Sequence, residues 1–244
     1  MSLRTNWRRG DRFLVRYKDE SIVVVDKTAP LFTVAPPSGK GPDLIRLLRE
    51  FFGPRRRSPL FVVHRLDRVV SGLLVVARTK TAFDRLVDQF RIHDVERRYL
   101  AVVRGRLERE EGTYESQLTV DPRTLRMYSD PEGEKRAVTH YRVRDWLPSA
   151  TLVDVELETG ARNQIRVHFA EAGHPLLGER KYLDDEDPDS RSVQGRERIF
   201  LHARVLGFRH PTSGEHMRFE SPLPPDLSRW LRSVSVRRRR RARR

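Results

Sequence analysis

Short apolar runs separated by turn residues dominate the hydrophobic pattern of the chain. Runs of this length that are rich in valine and leucine are typical of buried strands. Such runs lie at 21–26, 60–63, 73–77, 97–103 and 199–208, with a weaker candidate at 31–34. Alternating polar and apolar positions over 138–146 and 151–159 predict a hairpin that turns at Pro148 and Ser149. The chain should therefore be rich in hairpins.

Apolar positions at helical spacing predict helices at 42–52, 79–93 and 226–234. Thr79 stands where it can cap the second of these helices. A further helix is predicted to begin after Asn163 as its cap and to end at Gly173. We expect a basic lead-in at 1–20, one catalytic domain at 21–234 and an arginine-rich tail at 235–244.

A carboxylate lies between the two apolar runs of the stretch 60–80. Asp67 stands between Arg65 and Arg68 at a loop or strand end, and nearby positive charge favours its ionised form. Ser71 and Gly72 then turn the chain into the second run. A structural hairpin with a surface ion pair fits this spacing as well as a functional site does.

The charge of the chain indicates a polyanionic partner. Removing the seven arginines of 237–244 from a net charge of +15 still leaves a body of +8. A basic body with a basic tail is typical of proteins that bind nucleic acid, although a solvated basic surface is the alternative. We expect the tail to add affinity without sequence recognition, through counterion release.

Several classes of chemistry are excluded by residue content. The chain has no cysteine, no HExxH or GxSxG motif and no glycine-rich dinucleotide turn. It also has no signal-peptide core and no apolar run of membrane length. We expect a cytoplasmic protein that uses no cofactor, binds no metal and contacts no membrane.

Two further positions are candidates for chemistry. Tyr99 follows two arginines and precedes apolar residues, so its ring could be buried with its hydroxyl near cations, or it could be an ordinary strand tyrosine. Arg162 and Arg166 lie near the predicted helix start, where the macrodipole disfavours a cation, so an anionic partner is expected unless both are solvated. With Asp67 as nucleophile or general base, these residues suit work on nucleic acid, including N-glycosidase chemistry or plain RNA binding.

An ordered set of motifs covers about 22–227. It comprises VVHRLD at 62–67, SGLLV at 71–75, RYLA at 98–101, TG at 159–160, QIRVH at 164–168, GHPLLG at 173–178, LHA at 201–203 and FRHP at 208–211. In this order the set resembles the RluA-type RNA pseudouridine synthases. The resemblance implies an enzyme that isomerises specific uridines of structured RNA, either tRNA or rRNA, to pseudouridine after flipping the base.

The resemblance also implies a fold and a site. The fold would be α+β, with a bent, mostly antiparallel mixed sheet flanked by helices and loops. Asp67 matches the catalytic aspartate of the family, Tyr99 its active-site tyrosine and Arg166 the basic residue that pairs with the aspartate. The predicted RNA-binding residues are His64, Arg65, Arg162, Gln164 and Ile165. Arg65 matches a residue that fills the RNA stack where the target base has left, and we expect a monomer.

Two positions depart from the family pattern. Ala161 and Asn163 stand where an arginine and a histidine are usual, and Arg162 is placed to supply the missing charge. These departures, with the arginine tail, motivate an alternative: a catalytically silent RNA-binding or RNA-assembly factor on the same fold. Asp67, Tyr99 and Arg166 are all present, which favours an active enzyme.

Overall fold

The computed structural model describes residues 11–36, 39, 41–53, 59–183 and 198–235. Its contacts divide the chain into two compact units. The first unit comprises Met1–Arg97 and Ala203–Pro224, and the second comprises Arg98–His202 and Pro225–Arg244. The arginine tail at 237–244 lies outside the described residues, so its predicted role stays a prediction.

Eleven strands and four helices lie in the described part of the chain. The strands are β1 (Phe13–Lys18), β2 (Ile22–Lys27), β3 (Phe61–Val62), β4 (Ser71–Ala77), β5 (Glu96–Arg104), β6 (Glu111–Val120), β7 (Met127–Ser129), β8 (Lys135–Trp146), β9 (Ala150–Leu157), β10 (Leu201–Arg209) and β11 (His216–Glu220). The helices are α1 (Leu44–Phe52), α2 (Lys80–Arg91), α3 (Gln164–Glu171) and α4 (Pro225–Ser235). The predicted α+β class is confirmed, whereas the domain boundaries stay a prediction.

The first unit is organised on β2 and β4. Its strand order is β1-β2-β4-β10, with β3 also paired to β4 and β11 paired to β10. Every residue of β2 and β4 is buried, as expected for strands covered on both faces. Ile22, Leu73 and Val75 pack there with Leu86 of α2. The antiparallel pairing of β3 with β4 confirms the hairpin predicted around Asp67.

One strand of the first unit was not predicted, and one predicted strand was wrong. Residues 13–18 of the expected lead-in form β1, which pairs with β2 and buries Leu14 and Val15. The candidate strand at 31–34 is irregular and forms one isolated bridge, between Phe32 and Asp43. Its main chain instead bonds to the segment that carries Asp67, because the Leu31 N–H donates to the Arg68 carbonyl (3.0 Å).

The helix starts in the first unit follow ordinary capping rules. The Asp43 side chain accepts a hydrogen bond from the Arg46 N–H and starts α1, which ends before Gly53 at a positive φ of 80°. The Thr79 side chain accepts from the Ala82 N–H and starts α2, as predicted. Both helices agree with the periodicity of the sequence.

The second unit contains an antiparallel arrangement of strands in the order β5-β9-β8-β6-β7. The predicted hairpin is β8 with β9, which carries a bulge between Val143 and Asp145. Helix α3 is buried from Gln164 through Phe169 rather than along one stripe. A buried helix in this unit therefore carries Arg166, and a charge in such a place requires a partner.

Candidate active site

Asp67 lies in the irregular segment between β3 and β4 and is partly buried. The segment is fixed on both sides of it. The Thr33 hydroxyl donates to the Leu66 carbonyl (2.8 Å) and accepts from the Leu66 N–H (3.2 Å). The Val70 N–H donates to the main-chain carbonyl of Asp67 (3.0 Å). The carboxylate is therefore mounted on a loop whose main chain is held in place.

Lys27 ties this loop to the end of β2. Its ammonium is fully buried and donates to the main-chain carbonyls of Leu31 (2.7 Å), Val70 (2.6 Å), Thr28 (3.1 Å) and Asp67 (3.2 Å). A buried ammonium needs such acceptors to offset its lost hydration. We call this arrangement the Lys27 cage. It joins three stretches of chain around the main chain of Asp67.

Replacing Lys27 by methionine should destabilise the protein by about 3 kcal/mol or more, since buried carbonyls would lose a charged donor. The measurement is the free energy of unfolding in urea. The matched control is Lys80→Met, because Lys80 is exposed and its contacts lie within α2, to Asp84 and over the Phe83 ring. That change should cost less than about 1 kcal/mol. Equal stabilities for both variants would show that the Lys27 cage contributes nothing.

His64 contacts both β4 and α2. Its Nε2 accepts the Val75 N–H (3.1 Å), and its ring stacks on Phe90 with centroids 4.5 Å apart. Burial, and then the positive charge of Arg97, lower the pKa of His64 to about 3. The imidazole is therefore neutral near pH 7. These contacts are structural, and the RNA-binding role of His64 stays a prediction.

The two arginines around Asp67 have different surroundings. Arg65 is exposed. Arg68 lies over the Phe32 ring, 5.4 Å from its centroid, which is a cation–π distance. The glycine of the Ser71-Gly72 pair is required by the backbone. Its φ is +118°, and a Cβ at this position would lie 2.2 Å from the Ala203 carbonyl oxygen. Only glycine lets β4 approach that main chain.

Tyr99 belongs to the second unit, on β5. It is partly buried and lies opposite Val155 of β9. Its neighbour Arg98 is exposed and pairs with Glu156 (3.3 Å). The strand position of Tyr99 agrees with the sequence prediction, and its role stays a prediction.

The guanidinium of Arg166 binds Glu179 along one edge and contacts the Tyr182 ring with its face. Its Nε and Nη2 donate to the two carboxylate oxygens of Glu179, both at 2.7 Å. Its guanidinium carbon lies 5.3 Å from the centroid of the Tyr182 ring. The anionic partner expected for a cation at this helix start is therefore found. The pairing of Arg166 with Asp67 that the resemblance implies stays a prediction.

Glu179 is almost fully buried, at 1% exposure, and both oxygens of its carboxylate accept hydrogen bonds. Besides Arg166, its Oε1 accepts the N–H groups of Arg180 (3.0 Å) and Lys181 (2.8 Å). Burial alone would raise the pKa of Glu179, but the hydrogen bonds and charge of Arg166, together with these N–H groups, hold it below its usual value of 4.5. The carboxylate is therefore ionised in the folded protein.

Glu179 should make stability depend on pH in the acid range. Because the folded pKa of Glu179 is lowered, its contribution is present above the usual value of 4.5 and is lost as the pH falls through the folded pKa. Glu179→Gln should be less stable than the parent at pH 7, and the gap should narrow below pH 4.5. Urea unfolding of both proteins at a series of pH values measures this. A constant gap would contradict the ionised pair.

The remaining predicted RNA-binding residues differ in accessibility. Arg162 is exposed, whereas Gln164 and Ile165 are buried. The Gln164 amide accepts from the Thr159 hydroxyl (2.9 Å) and the Ala161 N–H (2.9 Å), and donates to the Val138 carbonyl (2.9 Å) and the Thr139 hydroxyl (3.0 Å). It thus joins the start of α3 to β8, and its RNA-binding role stays a prediction.

Asn163 precedes α3 as predicted, but its side chain makes no cap bond. Its φ is +55°, a left-handed conformation that asparagine tolerates better than most residues. The side-chain Nδ2 instead donates to the Tyr182 hydroxyl (2.7 Å). The expected cap is therefore corrected: Asn163 orients the ring beside Arg166.

Three features of the site were missed by sequence reasoning: the Lys27 cage, the Glu179 partner and the Tyr182 ring. The available signals were a lysine that closes an apolar strand and an acid directly after Gly178. Among the described residues, no group of three or more His, Cys, Asp or Glu side chains could hold a metal ion. None of the helices described is long and apolar enough to cross a membrane.

Comparison with known proteins gives one consistent family. Residues 14–171 match the family described as RNA pseudouridylate synthase. The chain is 39% identical over 231 residues to a ribosomal large subunit pseudouridine synthase D of Xanthomonas campestris, covering 90% of this chain and 69% of that protein. It is 34% identical over 224 residues to an uncharacterized RNA pseudouridine synthase of Bacillus subtilis, covering 90% and 72%.

A solved structure shares the fold. The human RNA pseudouridylate synthase domain containing 4 protein superposes with a TM-score of 0.73 over 90% of this chain and 92% of that one. The sequence identity is 22%, so this likeness concerns the fold alone.

Proposed function

Because the chain belongs to the RNA pseudouridylate synthase family and is an RNA pseudouridine synthase, we propose that it modifies uridines of large-subunit ribosomal RNA with Asp67 as its essential carboxylate. The main support is that the family match covers Asp67, Tyr99 and Arg166, and that the chain has the expected residue at each of these three positions. The choice of ribosomal RNA is supported by relatives named ribosomal large subunit pseudouridine synthase D, from Xanthomonas campestris and Zymomonas mobilis.

The reaction is an isomerisation, so substrate and product contain the same atoms. The bond between N1 of uracil and C1′ of ribose breaks, and a bond between C5 and C1′ forms. C5 loses its proton and N1 gains one, so no oxidant, reductant or group donor is consumed. The proposal assigns Asp67 the role of nucleophile or general base. Arg166 would stabilise the charge that this carboxylate carries, and Tyr99 would contact the base.

We propose that the target base is flipped out of the RNA before it reacts. An enzyme that works on a stacked base must extrude it, and the gap that remains has to be filled. Arg65 is exposed two residues before Asp67, and a guanidinium plane can stack in place of the departed base. The net charge of +15 supports binding to the phosphate backbone.

Mapping pseudouridine in ribosomal and transfer RNA tests the substrate. In cells that lack this gene, specific pseudouridines of the large-subunit ribosomal RNA should disappear and should return with the wild-type gene but not with Asp67→Asn. Loss confined to transfer RNA would move the substrate to that class. An unchanged map would contradict the proposal and favour the silent RNA-binding factor suggested by Ala161 and Asn163.

A further inference from the structure

The arginine assigned to catalysis has a built support within the second unit. Arg166 is 8% exposed and Glu179 is 1% exposed, and two bonds of 2.7 Å join them. The carboxylate takes the side-on edge of the guanidinium, Nε and Nη2, so Nη1 lies outside this pair. Bidentate pairs of this kind fix orientation as well as charge.

We infer that Glu179 is a positioning residue that fixes the guanidinium of Arg166 for the isomerisation. The inference rests on the proposed function, because it takes Arg166 as a participant in the reaction. Glu179 acts through Arg166 and is not itself a catalytic residue. An arginine side chain has several rotatable bonds, and without a support its charged end would occupy many positions.

The support of Glu179 is itself rigid. Gly178 precedes it at a φ of +85°, and a Cβ at that position would lie 2.3 Å from the Arg198 carbonyl oxygen. The Glu179 N–H donates to the Leu176 carbonyl (3.0 Å), which closes a turn. Leu176 forms a bridge with Val103 of β5. Glu179 is therefore anchored through its turn to β5.

The ring of Tyr182 supplies the second side of this support. Its hydroxyl accepts from the Asn163 Nδ2 (2.7 Å) and from the Met127 N–H (3.4 Å). The ring thus lies between the start of α3 and β7, with the guanidinium of Arg166 over it. Edge and face together restrict the guanidinium to one orientation.

The geometry predicts how two substitutions should differ. Glu179→Gln keeps the size of the side chain but removes the charge and turns one N–H donor toward the donors of Arg166. Glu179→Asp keeps the charge on a shorter stem. We expect Glu179→Gln to lower kcat about 100-fold, as a misplaced catalytic group does, with KM changed less than about threefold. Glu179→Asp should recover about tenfold of that loss by restoring the charge-assisted bonds.

A double-mutant cycle separates positioning from general support of the fold. If Glu179 acts through Arg166, adding Glu179→Gln to Arg166→Ala should cause no further loss of kcat. Steady-state rates at saturating RNA give kcat for the parent, both single variants and the double variant. Glu115→Gln is the matched control, because Glu115 makes an exposed ion pair with Arg136 (2.8 Å). Circular dichroism at the assay temperature shows that each variant is folded.

The outcomes distinguish this inference from the proposed function. Independent losses from Arg166→Ala and Glu179→Gln, or a Glu179→Gln variant with parental kcat, would overturn the inference alone. An Arg166→Ala variant with parental kcat would show that Arg166 takes no part in the reaction. The inference about Glu179 would then be wrong as well. An inactive wild-type protein would overturn the proposed function. Loss in Glu179→Gln, partial rescue in Glu179→Asp and no further loss in the double variant would support the inference.

Discussion

Asp67→Asn should reduce pseudouridine formation at least about 10⁴-fold, as removal of a central catalytic group does. The amide is nearly isosteric with the carboxylate, but it is a poor nucleophile and a poor base. The structure also indicates that the loop should survive, because Lys27 and Val70 bind the main-chain carbonyl of Asp67. Both bonds are independent of the side chain. Activity should therefore be lost without loss of the fold.

The measurement is release of tritium from RNA labelled at C5 of uridine, since C5 loses its hydrogen when it bonds to C1′. RNA affinity and melting temperature should stay near the parental values. Asp84→Asn is the matched control, because Asp84 is an exposed helix residue that pairs with Lys80. Undiminished tritium release by Asp67→Asn would remove this residue from the reaction.

Arg166→Ala should lower the rate about 10³-fold, which is the upper range for loss of one group that stabilises developing charge. It should also destabilise the protein by about 3–5 kcal/mol, because Glu179 would remain buried without its partner. The two effects have one structural cause, the side-on pair of 2.7 Å bonds. They are separable because the rate can be measured where the variant is still folded.

Arg166→Lys tests whether charge alone suffices. Lysine keeps the positive charge but lacks the fork that binds both oxygens of Glu179, so its rate should lie between those of Arg166→Ala and the parent. The control is Arg136→Ala, since the pairs that Arg136 makes with Glu115 and Glu158 are exposed. That change should cost less than about 1 kcal/mol. Parental rates for Arg166→Lys would show that the bidentate geometry is unnecessary.

Local patterns predicted the elements that depend on local physics. The strands β2 and β4 follow from continuous apolar runs, the β8–β9 hairpin from alternation, and α2 from periodicity with a Thr79 cap. β1 was missed because charged residues surround its short apolar run, and pairing with β2 decides its conformation. The segment 31–34 was predicted as a strand on composition, but its polar groups bond to the loop of Asp67 instead.

The sequence was sufficient to predict the candidate residues Asp67 and Arg166. It did not predict Lys27 and Glu179, which hold them in place. Asp67 stood out because it interrupts apolar runs, and Arg166 because a cation there needs an anion. Lys27 binds carbonyls as far as 43 residues away, and Glu179 lies 13 residues from Arg166. No local pattern specifies such contacts, since they depend on how the folded chain returns on itself. The sequence predicted that Arg166 needs an anionic partner, and the structure identifies Glu179 as that partner.

We propose that this chain forms pseudouridine in large-subunit ribosomal RNA. The most direct test incubates the purified wild-type protein with large-subunit ribosomal RNA, and separately with transfer RNA, each labelled with tritium at C5 of uridine. We predict tritium release from the ribosomal RNA, in proportion to the modified sites, and none from transfer RNA. Absence of release from the ribosomal RNA, with the protein shown to be folded and bound, would contradict the claim.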